Sequence, residues 1–209
     1  MKYIYIYRMT SDTGSAPCIF EDNYAKTDLL TLACCKGGQI RKGKDIKTGL
    51  RHTIGKKHKG TNDVIYVVGI YKKYILYVAK LSQIVTMNEY YSSEKYSKRK
   101  DYIYDKDGKR NAVNSYFHPI DDHLQHRRDW NGEYVLLSEE FSYNGRDCFK
   151  YDASKIKDYL PKRQESLVYN ECSDGFESIF SFIETTFEKH SKNDPITKIN
   201  GKCKGCNQK

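Results

Sequence analysis

The segment Lys2-Tyr3-Ile4-Tyr5-Ile6-Tyr7-Arg8 places Tyr3, Tyr5 and Tyr7 on one face and Ile4 and Ile6 on the other. A repeat of two residues belongs to an extended chain and excludes a helix, so the chain opens on a β-strand. The same chemistry returns in Val64–Gly69 and Tyr74–Ile84, rich in Val, Ile and Tyr and separated by Lys72-Lys73. That pattern predicts a β-hairpin. Thr86 with Glu89 forms a capping box, so a short helix should begin just past the second strand.

The rest of the chain reads as α+β. Thr10 to Asn23 holds Asp12, Gly14 and Pro17 and predicts an ordered loop. Leu29 to Cys35 is apolar and of ambiguous type. Residues 92–111 are charged and predict a mobile excursion; Glu133–Ser138 predicts a strand, and Phe141, Tyr143 and Cys148–Tyr151 should continue the sheet. Asp152 or Ser154 can cap a helix that ends before Pro161, and Asp174 and Glu177 can cap the next. There Phe176, Ile179, Phe180, Ile183 and Phe187 form one apolar stripe at helical spacing, which should pack on the sheet as core. The expected architecture is a curled antiparallel sheet or β-barrel with C-terminal helices packed on it. Residues 1–190 should form one domain, and 191–209 a polar, disordered tail.

Composition narrows the partners. The 36 Lys and Arg outnumber the 27 Asp and Glu, a formal charge of +9. That balance favours a polyanion such as a nucleic acid or a phosphorylated small molecule, or else a Lys-rich surface that keeps the chain in solution. No run of 18 apolar residues predicts a membrane span, and the start lacks the apolar run of a signal peptide. Seven cysteines, an odd number, then read as reduced thiols of a cytoplasmic protein. With 19 tyrosines, many rings should sit half in and half out, so that the hydroxyl finds a partner.

The stretch Tyr7-Arg8-Met9-Thr10-Ser11-Asp12-Thr13-Gly14-Ser15-Ala16-Pro17 is followed by Leu32-Ala33-Cys34-Cys35-Lys36 and Ile40-Arg41. It resembles the nucleotide-modification-associated domain family, found beside DNA-modification and phage-defence genes, whose members carry a D-T-G-x-A-P loop, then a C-K pair, then an I-R pair. Asn62–Gly69, Leu76–Tyr91, Ser115-Tyr116-Phe117-His118 and Val135–Ser138 with Phe141-Ser142-Tyr143 are similar to later blocks of that family. The chain departs from the pattern at Asn62, at Ile70-Tyr71-Lys72 and in its long basic insert at 42–60. The paired strands ending in a capped turn also resemble PUA-like β-barrels such as the ASCH and EVE domains, which bind RNA, modified bases or nucleotides. These resemblances imply a protein that handles nucleotides or nucleic acid in a phage-defence or counter-defence setting. It would be either an enzyme modifying DNA bases or nucleotides, or a non-catalytic binder that reads modified bases or sequesters a signalling nucleotide. They imply no established reaction and no cofactor.

Each candidate group has two readings. Gly14 permits a turn that brings backbone N–H groups, with Thr13, close to a ligand, while Asp12 could accept hydrogen bonds or serve as a general base; the loop could also be an Asx turn capping only itself. Cys35, beside Lys36 and Arg41, could be an activated nucleophile, or Cys34 and Cys35 could be small buried apolar groups. Residues 36–60 hold nine Lys or Arg against Asp45 alone. Of these, Lys36, Arg41, Arg51, Lys56 and Lys57 are the candidates for phosphate, unless the stretch is a solvated loop. His118 lies in a family-like block and is a candidate proton carrier. His118, His123 and His126 with Asp121, Asp122 and Asp129 could hold a metal, but the spacing matches no known zinc site, and a polar helix or loop near Trp130 is the simpler reading. Cys203 and Cys206 would need two further ligands to hold zinc, for which Cys172 and His190 are the candidates. The tyrosines could stack bases or simply build strands.

Overall fold

The computed structural model describes residues 1–109, 111, 123–187 and 190–197. Along the chain run β1 (Lys2–Met9), β2 (Cys18–Phe20), β3 (Lys26–Leu32), β4 (Gln39–Arg41), β5 (Lys44–Ile46) and α1 (Leu50–His58). They are followed by β6 (Val64–Tyr71), β7 (Tyr74–Lys80), β8 (Gln83–Thr86), α2 (Met87–Tyr91) and α3 (His123–Trp130). β9 (Tyr134–Ser138), β10 (Glu140–Tyr143), β11 (Ser166–Asn170) and α4 (Phe176–Phe187) complete the α+β chain. These elements form two compact units, each discontinuous in sequence.

The first unit, built from Met1–Asp12, Thr61–Ser82 and Ser138–Lys198, holds a five-stranded sheet in the order β10-β7-β6-β1-β11. Three of its pairings are antiparallel, but β1 runs parallel to β6, with Tyr3 beside Ile65 and Tyr7 beside Gly69. The fully antiparallel expectation fails there because residues 10–63 separate the two strands, long enough to return the chain to the same end of the sheet. The β6–β7 hairpin turns at Lys72-Lys73 as the sequence predicts, with Lys72 at φ +57°. Ile4 and Ile6 pack with Val68, Val78 and the α4 side chains Phe176, Ile179 and Ile183, so the apolar stripe is core. Each such buried side chain contributes about 1.5–3 kcal/mol. On β6, a Cβ on Gly69 would lie 2.3 Å from the Tyr77 ring, so only glycine leaves room for that ring. Cys148 falls in a 3-10 segment, Gly145–Lys150, and does not extend the sheet as expected. Asp152 caps a second 3-10 segment, Ala153–Tyr159, through the Ser154 N–H.

The second unit joins Thr13–Gly60 to Gln83–Leu137 around a four-stranded sheet, β2-β3-β9-β8, with β4 and β5 as a separate hairpin. No sheet among the described strands closes into a barrel. Lys42 and Gly43 turn the β4–β5 hairpin with φ of +48° and +74°, the positive values that tight hairpin turns require. The basic stretch is therefore a hairpin and a helix, and not the solvated loop that was its alternative reading. Leu50, Arg51, Ile54, Gly55 and His58 make the buried face of α1. The capping box is present: Thr86 Oγ1 accepts from the Glu89 N–H, and the Glu89 carboxylate accepts from the Thr86 N–H.

Part of residues 92–109 also packs into the core. Tyr96, Ile103 and Tyr104 pack with Tyr90, Tyr91, Cys34 and Val135. Arg99 and Asp101, almost wholly buried, lie 3.4 Å apart, and Asp101 also takes hydrogen bonds from Thr31 and Tyr90. Charge at these positions marks a buried network and not a surface excursion. The tyrosines follow the same rule. Tyr77, Tyr90, Tyr104 and Tyr143 are fully buried, and their hydroxyls donate to Tyr7, Asp101, Asp129 and Asp12. These four are satisfied by buried acceptors, while Tyr24, Tyr71, Tyr74, Tyr102, Tyr134, Tyr151, Tyr159 and Tyr169 are half-buried as expected.

Candidate functional site

The predicted site residues divide between the two units. Asp12 ends the first segment of the first unit, and Thr13 begins the second unit. Asp12 is buried; its carboxylate accepts the Tyr143 hydroxyl at 2.7 and 2.8 Å and the Ile196 N–H at 3.0 Å. Its carbonyl accepts the Thr197 N–H at 3.0 Å, so Asp12 pins residues 196 and 197. Upstream, Asn193 N–H donates to the Tyr143 carbonyl and Arg146 N–H to the Asp194 carbonyl, which orders this part of the polar tail.

In the second unit the loop and the thiols do meet. Cys34 is fully buried and its Sγ donates to the Ser15 carbonyl at 3.3 Å, while Thr13 and Ser15 share a hydroxyl hydrogen bond of 2.9 Å. Gly14 takes the left-handed conformation foreseen for it, at φ +76°. Cys35 and Lys36 also have positive φ, +57° and +50°, which bends the chain sharply after β3. A hydrogen bond from Cys35 and its own burial hold the Cys34 thiol well above the usual range, the reverse of an activated thiol. Burial likewise pushes Cys18 up to about 12.

Arg51 is fully buried. Its Nε donates to the Cys35 carbonyl at 2.7 Å, and its terminal nitrogens donate to the carbonyls of Asp129 and Tyr134. The Asp129 carboxylate in turn accepts the Cys35 N–H at 2.7 Å, Gln125 at 2.8 Å and the Tyr104 hydroxyl at 2.8 Å. Arg51 thus holds the thiol bend in place, and its complete burial keeps it from a phosphate. Lys56 and Lys57 sit on the exposed face of α1, and Arg41 is exposed on the β4–β5 hairpin with Nε on Gln39. His118 lies outside the described residues. His126 Nε2 is 2.7 Å from the Gly108 carbonyl, and no metal-binding cluster occurs among the described residues.

The second unit also holds a cleft of about 490 Å³, lined by Thr86, Met87, Asn88, Trp130, Glu133 and Tyr134. It forms where α2 begins and where α3 turns into β9. The turn Asn131-Gly132 is held by Arg51, since a Cβ on Gly132 would meet its guanidinium at 2.6 Å. Glu133 follows at φ +56°, an unfavourable conformation for a side-chain-bearing residue that costs about 1–2 kcal/mol. Its carbonyl accepts the Met87 N–H at 2.9 Å, tying the two walls together. Its carboxylate meets Lys47 on one oxygen and His52 Nδ1, at 3.0 Å, on the other. The Lys47 hydrogen bond holds the Glu133 carboxyl below its ordinary range, so the cleft carries a fixed anion.

The aromatic walls have their own support. A Cβ on Gly55 would come within 2.1 Å of the Tyr134 ring, so α1 needs glycine there to admit it. Trp130 packs against His126, Tyr104 and Tyr91, and its Nε1 is buried without a hydrogen-bond partner among the described residues. An orphan donor of this kind costs about 1–3 kcal/mol. Reading the sequence did not single out this cleft. A signal existed in Trp130-Asn131-Gly132-Glu133-Tyr134, where the only tryptophan, a turn, a carboxylate and a tyrosine are adjacent.

No helix among the described residues is long and apolar enough to cross a membrane. No curated protein and no solved structure matches the chain. The family model for the nucleotide modification associated domain 2 matches residues 1–202, and the chain belongs to that family.

Proposed function

We propose that this protein binds a nucleotide, or a nucleotide within a nucleic acid, and acts in the modification of nucleotides or DNA. The observation that carries this reading is the cleft of the second unit. It combines two aromatic side chains, Trp130 and Tyr134, with the fixed carboxylate of Glu133 and the amide of Asn88. Rings of this kind bind the faces of bases, and polar groups read their edges. Membership of the nucleotide modification family supports it, as does the net charge of +9. Lys36, Arg41, Lys56 and Lys57 are the cations we assign to phosphate, with Thr13 and Gly14 as further backbone contacts. Arg51 and Asp12 are assigned to the framework. The setting we propose is phage defence or counter-defence, with both units acting as one functional domain, as the family match to residues 1–202 supports.

Trp130 is the only tryptophan, so its fluorescence reports on the cleft directly. Nucleoside monophosphates and short single strands titrated into the full chain should change that emission, and Tyr134→Ala should weaken binding by about tenfold. Binding that Tyr134→Ala leaves unaltered would refute the cleft as the site. An enzyme should also leave new nucleoside masses in DNA from cells that make it. A binder that reads modified bases or sequesters a nucleotide should leave the masses unchanged.

A further inference from the structure

An ionised carboxylate accepts hydrogen bonds and cannot donate, and its two oxygens offer about four acceptor positions. Lys47 takes one on the first oxygen, and His52 Nδ1 lies within 3.0 Å of the second. At least one acceptor position on each oxygen is uncommitted among the described residues, and the Glu133 side chain is 38% exposed beside the cleft. Its left-handed backbone, at φ +56°, and the Met87 hydrogen bond fix its main chain, and Lys47 and His52 lie against its carboxylate. Met87, Thr86 and Asn88 complete the rim, and Thr86 Oγ1 is already committed to the Glu89 N–H.

We infer that Glu133 makes the cleft specific for bases that carry an exocyclic amino group. Resting on the cleft reading above, this names the ligand class. Guanine presents two parallel N–H donors to a carboxylate, and cytosine and adenine each present an amino group. Thymine and uracil offer one ring N–H flanked by carbonyl oxygens, whose lone pairs would face the carboxylate. A site built on hydrogen bonding rejects the analogue that cannot supply the donor far more strongly than an apolar pocket can.

The test compares the 5′-monophosphates of guanosine, adenosine, cytidine, thymidine and uridine on the full chain, read by Trp130 fluorescence. The first three should bind about tenfold or more tightly than the last two. Glu133→Gln keeps the size of the side chain and replaces one acceptor by a donor. It should narrow the difference toward unity, with circular dichroism unchanged. Equal binding of all five, or a preference for thymidine and uridine, overturns the assignment of Glu133 and leaves the cleft as a nucleotide site. A preference that survives in a folded Glu133→Gln protein does the same. Failure of all five to bind overturns the cleft reading itself.

Discussion

The Arg51 guanidinium donates to the main-chain carbonyl of Cys35 at 2.7 Å, so a cation from the basic stretch fixes the bend that carries the paired thiols. The same side chain bonds the carbonyls of Asp129 and Tyr134, on either side of the Gly132 turn. One buried arginine therefore connects the family-like Cys-Cys-Lys segment to the wall of the cleft.

Arg51→Met fills a similar volume but takes a donor from the carbonyls of Cys35, Asp129 and Tyr134, of which Asp129 keeps the Gly132 N–H. Each unpaired acceptor costs about 1–3 kcal/mol, so a total loss of about 3 kcal/mol or more is expected. Thermal unfolding should fall by roughly 10 °C, and Arg51→Lys should recover only part of it. A stability within about 0.5 kcal/mol of the parent would contradict a structural role.

Glycine to alanine inside a helix normally stabilises by about 0.5–1 kcal/mol. Gly55→Ala should reverse that sign, because the new methyl would sit 2.1 Å from the Tyr134 ring. Both the melting temperature and nucleotide affinity should drop. A rise in melting temperature with unchanged affinity would show that the ring does not depend on this glycine.

Asp12→Ala should act on the first unit alone. It leaves the Tyr143 hydroxyl and the Ile196 N–H without their acceptor, at a cost of about 1–3 kcal/mol. Hydrogen exchange at residues 193–197 should speed up, while nucleotide binding in the cleft is unaltered. Lost binding with normal exchange would instead return Asp12 to the ligand site.

Glu89 is held down to about 2 by its hydrogen bond with Lys59 and by the Thr86 N–H. A carboxyl lowered in the folded state contributes stability at pH values above its unfolded value of 4.5 and loses it as the pH falls toward about 2. The parent should therefore exceed Glu89→Gln in stability at neutral pH, and the gap should close across that acidic window. Because the side chain is exposed, the gap should be small and should shrink in salt. Denaturant melts of both proteins from neutral pH down to pH 2 measure it. A gap that stays constant would show that the cap does not depend on the charge.

Local pattern determined much of this protein. The alternation in β1, the Lys72-Lys73 hairpin, the Thr86–Glu89 cap and the apolar stripe of α4 were all legible, because each depends on residues within one or two turns of chain. The family-like loop and thiols were legible for the same reason. Helix α1 was obscured by its charge, although Leu50, Ile54 and His58 recur at helical spacing. What only the tertiary structure decided was the fate of the polar residues. Arg51, Arg99, Asp12, Asp101 and Asp129 are buried because partners far along the chain satisfy them, and no local signal separates a buried charge from a solvated one. The parallel partnership of β1 with β6, and the meeting of Trp130, Glu133 and Tyr134 with Thr86–Asn88, likewise depend on contacts across dozens of residues. Such contacts are set by the packing of the whole unit and leave no period in the sequence.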